Sequence, residues 1–162
     1  FPEEGKYHYD GHRNCQVVLP PTGSIKLDNI CPNCGRKLTI GVMHRVEELA
    51  DRPPGFVPQG AIPTKHLVPL DEIIAAALGC GVETTAVKKE YDRLISIAGT
   101  EFNLLLYFGE KELARFTPAK ILNGIINVRQ GKVEVLPGFD GVYGKVKIIT
   151  ERIEKARQMS LF

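Results

Sequence analysis

The sequence predicts an α+β fold: a small zinc-ribbon module, then a mainly helical domain with a short β element and a C-terminal tail. Three observations carry that prediction. Three of the four cysteines fall before residue 35, two of them as Cys31-Pro-Asn-Cys34 and the third as His12-Arg-Asn-Cys15. Apolar residues recur at helical spacing through most of the stretch from 71 to 129. Between these stretches, residues 52–69 hold five of the eleven prolines and keep no period.

The metal module comes first in the chain. Two pairs of ligands, each with two residues between its members and fifteen residues between the pairs, can surround one tetrahedral ion once a hairpin folds them together. His12, Cys15, Cys31 and Cys34 are the expected ligands of one structural Zn2+, with Asp10 and His8 as competitors for the place of His12. Such a closed site stabilises a small fold and does not activate water. Pro32 and Gly35 suit the turn around the second pair. A disulfide is the competing use of these thiols; CxxC spacing disfavours a bond between its own ends. The segments Gln16–Leu19 and Leu38–Ile40 are expected as short strands, and Arg45–Asp51, with apolar residues at 46, 49 and 50, as a short helix. The predicted module covers 1–51 and the Pro-rich connector 52–69. Phe56, Val57, Ile62, Leu67 and Val68 favour a connector packed on its neighbours over a plain linker.

The helical domain is expected over 70–156. Asp71 is placed to cap the helix that Gly79 ends, and Thr84 or Thr85 opens a longer one carrying Val87, Tyr91, Leu94, Ile95 and Ala98. Phe102–Phe108 is an apolar run that reads as either a buried strand or a core helix. Residues 110–116 form a short helix. Thr117 then caps a helix with Pro118 at its first position and Ile121, Leu122, Ile125 and Ile126 inward. Residues 132–136 alternate as a strand does, and Val146, Ile149, Ile153 and Ala156 mark a last helix.

A net charge of +2 and 43% hydrophobic content are ordinary, and they say little about a polyanionic partner. No apolar run spans a membrane and no signal-peptide pattern opens the chain, so a cytoplasmic location is expected. The abrupt start, without methionine, is expected of a piece of something longer. No Walker loop, Rossmann fingerprint or serine-nucleophile motif is present, so catalysis by this chain alone is not expected.

Two loops and the tail carry interaction signals. Leu78-Gly-Cys-Gly-Val82 reads as a turn offering amides to a DNA phosphate, or as a plain helical hairpin with Cys80 packed inside it. In Pro137-Gly-Phe-Asp-Gly-Val-Tyr-Gly144, Phe139 and Tyr143 are placed to stack on a base, or to cover a tight hairpin. The tail, 157–162, resembles the bacterial sliding-clamp-binding motif through Gln158, Met159, Leu161 and Phe162; a frayed helix end is the other reading.

Several longer segments together resemble the C-terminal part of endonuclease Q. They are Glu4–His8, the Cys31/Cys34 knuckle continuing into Gly41–Arg52, Lys65–Ile73, Gly99–Asn103 and Pro137–Gly144. The resemblance implies a repair nuclease that incises DNA 5′ to deaminated bases such as uracil and hypoxanthine, and to abasic sites, through metal ions held by a PHP domain upstream of Phe1. This chain would supply the zinc-binding and lesion-gripping portion, with the sliding clamp as a further partner. His12 stands where relatives carry cysteine. Residues implied to meet DNA are Arg13, Arg36, Arg45, Lys65, His66, Lys88 and Lys89, with Lys37 a further basic candidate, and His44 placed with Lys65 and His66 near the extruded base. The competing function is a non-catalytic zinc-ribbon adaptor recruited to the clamp. A ribosome- or polymerase-associated ribbon is a third, which leaves the helical part unused.

Overall fold

The computed structural model describes residues 1–151, and these fall into two compact units. The first takes in 1–65 and 134–147; the second takes in 66–133 and 148–151. The tail residues Gln158, Met159, Leu161 and Phe162, and Ile153 and Ala156 of the expected last helix, lie outside the described residues.

In the first unit, strand β1 (Asp10–His12) pairs antiparallel with β2 (Val17–Leu19), Asp10 opposite Leu19 and His12 opposite Val17. A 3-10 turn, Arg13–Cys15, closes this hairpin, and Gln16 leaves it in the left-handed region at φ 54°. The expected strand at 38–40 is reduced to one bridge, Thr39 beside Gly11. A short helix α1 (Pro21–Ile25) fills the interval between the cysteine pairs. Helix α2 spans Val42–Leu49, three residues earlier than the apolar pattern indicated. Its buried residue is His44, whereas Val46 and Leu49 are exposed.

The returning segment holds β3 (Val133–Leu136), which pairs with β4 (Lys145–Ile148). Val146 therefore sits in a strand and not in the expected last helix. The spacing of Val146 and Ile149 fits a helix, but Lys145, Val146, Lys147 and Ile148 also alternate, and pairing with β3 decides the outcome. Lys147 Nζ meets Glu134 across this pair at 2.9 Å.

The connector carries no regular element, and Phe56, Val57 and Ile62 stand exposed while Val68 is buried. Arg52 lies 4.9 Å from the Phe56 ring centre.

The second unit is helical: α3 (Leu70–Leu78), α4 (Thr85–Ala98), α5 (Glu110–Leu113) and α6 (Ala119–Arg129). Its core is apolar, with Ile73, Ile74, Leu94, Leu104, Leu113, Ile121 and Ile125 all but sealed from solvent, each such burial contributing about 1.5–3 kcal/mol. Helices α3 and α6 approach at Gly124, where an added Cβ would lie 2.7 Å from Ile73 Cγ2. Any larger residue would push the pair apart. Gly79 ends α3 with φ 67°, the left-handed stop that favours glycine.

Two caps differ from their expected places, by two residues at α3 and by one at α6. Pro69 and not Asp71 precedes α3, because the Glu101 carboxylate accepts the Leu70 N–H at 2.7 Å and ties the helix start to a distant segment. Pro118 and not Thr117 precedes α6, and the Thr117 hydroxyl is buried without capping it.

The apolar run settles as neither of its two predicted forms. Asn103–Tyr107 is a π-helical turn, closed by Phe108 N–H donating to the Asn103 carbonyl at 2.9 Å. Such a turn leaves carbonyls unmatched, and the Arg129 guanidinium takes three of them, donating to Leu104, Leu105 and Phe108 at 2.5, 2.8 and 2.7 Å. Burial pulls its pKa down from the usual arginine value, so the group is held at a desolvation cost. Arg129→Met keeps the stem but orphans three carbonyls. It is expected to lower stability by about 2–4 kcal/mol, read as a shift of the urea midpoint at unchanged slope.

Candidate metal centre and aromatic loop

The first unit brings His12, Cys15, Cys31 and Cys34 together, with one ligand atom from each lying within 4.8 Å of the others. Local chain chemistry accounts for the convergence. The 3-10 turn places Cys15 beside His12, and Asn33 Nδ2 donates to the Cys15 carbonyl at 3.3 Å, drawing the second knuckle in. That knuckle is a tight turn: Cys31 N–H donates to Arg36 and Gly35 N–H to Cys31, at 2.7 and 2.9 Å, with Gly35 at φ 70°. All four cysteines are free thiols, so the cluster is not a disulfide.

The electrostatics favour thiolate at one corner. Burial pushes the Cys31 thiol up, but the N–H groups of Asn33 and Cys34, with the His12 and Cys34 side chains, bring it down from 9.0 to about 6. Hydrogen bonding to Cys34 pushes the Cys15 thiol up to about 11. His12 Nδ1 lies 3.3 Å from Cys34 Sγ. Three sulfurs and an imidazole in this arrangement can hold one metal ion, and soft donors in a set of four match a closed site.

The two competing ligands are occupied elsewhere. Asp10 is fully buried and accepts from the Ser24 hydroxyl, from Gly41 N–H at 2.7 Å and pairs with His44 Nδ1 at 2.6 Å. His8 is buried with its ring against Tyr9, centroids 4.9 Å apart. His44, read from sequence as a surface or groove residue near an extruded base, is 7% exposed and held by Asp10. It belongs to the scaffold.

The returning loop, 137–144, is bolted to the amino-terminal segment by backbone bonds. Gly138 and Gly144 N–H donate to the Glu3 and Glu4 carbonyls at 2.8 and 3.0 Å, and Tyr9 N–H donates to Gly138 at 3.0 Å. Gly144 has no room for a side chain, since a Cβ there would lie 2.1 Å from the Glu3 carbonyl oxygen. Phe139 is 7% exposed and pairs in a bridge with Tyr9, so it cannot stack on a base. The loop drives it inward because Phe139 and Val142 exchange two backbone bonds across a tight turn. Tyr143 remains outward at 68% exposure.

Asp140 locks this loop to the metal module, accepting from the Arg13 N–H and the Thr39 hydroxyl, each at 2.6 Å. Partial burial pushes its carboxyl up, but those two donors and the nearby Arg13 and His12 charges leave it below the usual range.

Of the other sequence-selected cations, Arg36 belongs to the second knuckle, where its carbonyl accepts the Cys31 N–H, and the others are outside the ligand cluster. Arg36 and Arg45 are exposed, with Arg45 paired to Glu48 at 2.7 Å. Lys65 and His66 are exposed where the two units divide, and Lys88 and Lys89 are exposed on α4. The Leu78–Val82 turn is a helical hairpin in which Cys80 is exposed and not packed, 3.3 Å from the Thr84 hydroxyl. Sequence reasoning named Asp10 only as a competing ligand and gave no role to Asp140, Lys6 or Tyr7; these last three lie within stretches that carry the family resemblance but had no motif of their own.

Residues 69–132 match the family described as the MJ0043 C-terminal domain. The chain is 33% identical over 97% of its length to an uncharacterized protein, MJ0043, of Methanocaldococcus jannaschii, and over 90% to the uncharacterized YqxK of Bacillus subtilis. It spans only 20% and 34% of those two proteins. Among solved structures, it superposes on the lesion-specific endonuclease PfuEndoQ of Pyrococcus furiosus with a TM-score of 0.78 and 32% identity, covering 91% of this chain and 36% of that one. A second endonuclease Q structure, bound to a 27-mer duplex with an abasic lesion, gives a TM-score of 0.72 at 33% identity, with the same coverage.

The lowered Asp140 carboxyl fixes the sign of a pH effect. Its contribution is complete above the ordinary carboxylate range and is lost as pH falls through its depressed folded value. Asp140→Asn is expected to lower stability at neutral pH and to flatten the acid limb of a stability-versus-pH curve; an unchanged acid limb would contradict this.

Proposed function

The chain shares the fold of endonuclease Q across 91% of its length, and from that premise we propose that it is the zinc-binding, DNA-gripping portion of a lesion-specific repair endonuclease. The parent protein incises 5′ to deaminated bases such as uracil and hypoxanthine, and to abasic sites, using catalytic metal ions held by a PHP domain outside this sequence. The observation that carries the reading is the one-third identity maintained over a superposable fold, since one of the matched structures holds duplex DNA with an abasic lesion. Exposed cations on both units supply phosphate contacts: Arg13, Arg36 and Arg45 in the first, Lys88 and Lys89 in the second. The tail, through Gln158, Met159, Leu161 and Phe162, recruits the protein to a sliding clamp.

The His12, Cys15, Cys31 and Cys34 cluster holds one zinc ion with a structural role. The donor set supports zinc: three thiols and an imidazole fill a tetrahedron and leave no position for substrate. The ion offsets the cost of ordering a short two-stranded hairpin that has little apolar core of its own.

Two measurements test these statements. Elemental analysis is expected to give one zinc per chain, and chelation or Cys34→Ser to lower the melting temperature. Acidification is expected to release the ion, because protons compete with it for the three thiolates and the imidazole. Zinc-free protein with unchanged melting would refute the structural role. In the second measurement, the chain is titrated with uracil-containing, abasic and undamaged duplexes at two salt concentrations. Binding is expected to fall by roughly tenfold or more between about 50 and 200 mM salt, without incision. An absence of binding at low salt would overturn the DNA reading and leave the clamp adaptor in its place.

A further inference from the structure

The returning loop builds a feature that no motif announced. Lys6 lies between two tyrosines distant in sequence, its Nζ 5.8 Å from the Tyr7 ring centre and 5.6 Å from that of Tyr143. Both rings are well exposed, at 47% and 68%. Arg13 borders them: the site of a Cβ on Gly141 would be 3.6 Å from Arg13 Nη1 and 3.7 Å from Tyr7 Oη. The neighbouring Asp140 carboxylate is turned away toward Thr39 and the Arg13 N–H.

This group is held firmly. Gly141 N–H donates to the Lys6 carbonyl at 2.9 Å, so the tip of one segment is fastened to the backbone between the two cationic and aromatic positions of the other. Buried Phe139 anchors the loop from beneath. A tyrosine at 68% exposure has lost most of the apolar burial that usually justifies an aromatic residue, and rigid backbone support keeps its ring available at low entropic cost.

Resting on the DNA reading above, we propose that Tyr7 and Tyr143, with Lys6 over both rings and Arg13 at their border, form a stacking platform for an unpaired nucleobase. Tyrosine faces accept any base by stacking, and cations on the rim meet the phosphates that flank it. A paired base offers no free face, so the platform favours single-stranded or disrupted DNA over intact duplex. The two rings take the role that sequence alone had given to Phe139 and Tyr143.

The test uses the whole 162-residue chain and two probes, labelled single-stranded oligothymidylate and a fully paired duplex of equal length, followed by fluorescence anisotropy. The chain has no tryptophan and five tyrosines, so the part of the tyrosine quenching that is lost in the Tyr7 and Tyr143 variants reports their stacking. Tyr143→Ala and Tyr7→Ala are expected to weaken single-strand binding roughly tenfold and duplex binding less than about twofold, with Tyr143→Trp retaining affinity. Lys6→Ala should weaken both probes and reduce the salt slope by about one. Both tyrosines are exposed, and zinc content with circular dichroism confirms that the variants fold. Tyrosine variants that bind the single strand as wild type does, or that lose both probes equally, would overturn the platform alone. Wild-type protein that binds neither probe would overturn the DNA reading as well.

Discussion

The Asp10 carboxylate is the constraint on which the first unit depends. A buried anion is costly unless donors replace its water, and here three donors from two segments provide them: Ser24 from α1, and Gly41 and His44 from the start and first turn of α2. Those bonds fix where both helices sit on β1. Side chains two apart along a strand share a face, so fixing Asp10 also orients His12, the first member of the Cys/His cluster. The cluster thus inherits its geometry from a polar lock just outside it.

A second constraint comes from the far end of the sequence. Residues 137–144 join the amino-terminal segment through Glu3, Glu4, Lys6 and Tyr9 backbone groups, and Asp140 reaches Arg13 and Thr39. The same loop buries Phe139 and leaves Tyr143 outside. Metal cluster, lock and aromatic surface therefore belong to one connected structure, whereas the helical unit organises itself around α3, α4 and α6, with Arg129 sealing the π-helical turn.

What could be read in the sequence followed from the range of the interactions. The cysteine knuckles are local, set by turns of a few residues, and their spacing announced them. Helices α3, α4 and α6 were legible from apolar repeats because their faces meet a common core. Contacts such as Arg13 to Asp140, separated by 127 positions, leave no periodic trace. For that reason Phe139 read as readily as a base-stacking aromatic as hairpin cover, His44 as a surface residue and Val146 as part of a helix. The π-helical turn was hidden differently: five consecutive apolar or aromatic neighbours fit any buried backbone, and only the distant Arg129 makes this one tolerable.

The discontinuity of the first unit also bears on the order of events during synthesis. Residues 66–133 carry helices α3 to α6 in one contiguous stretch, and local helical contacts favour rapid folding. The earlier segment, 1–65, lacks its last structural piece until 134–147 has left the ribosome. The cysteine-bearing end must therefore wait, partly formed, while the chain through 133 is made, so amino-to-carboxyl synthesis does not complete it first.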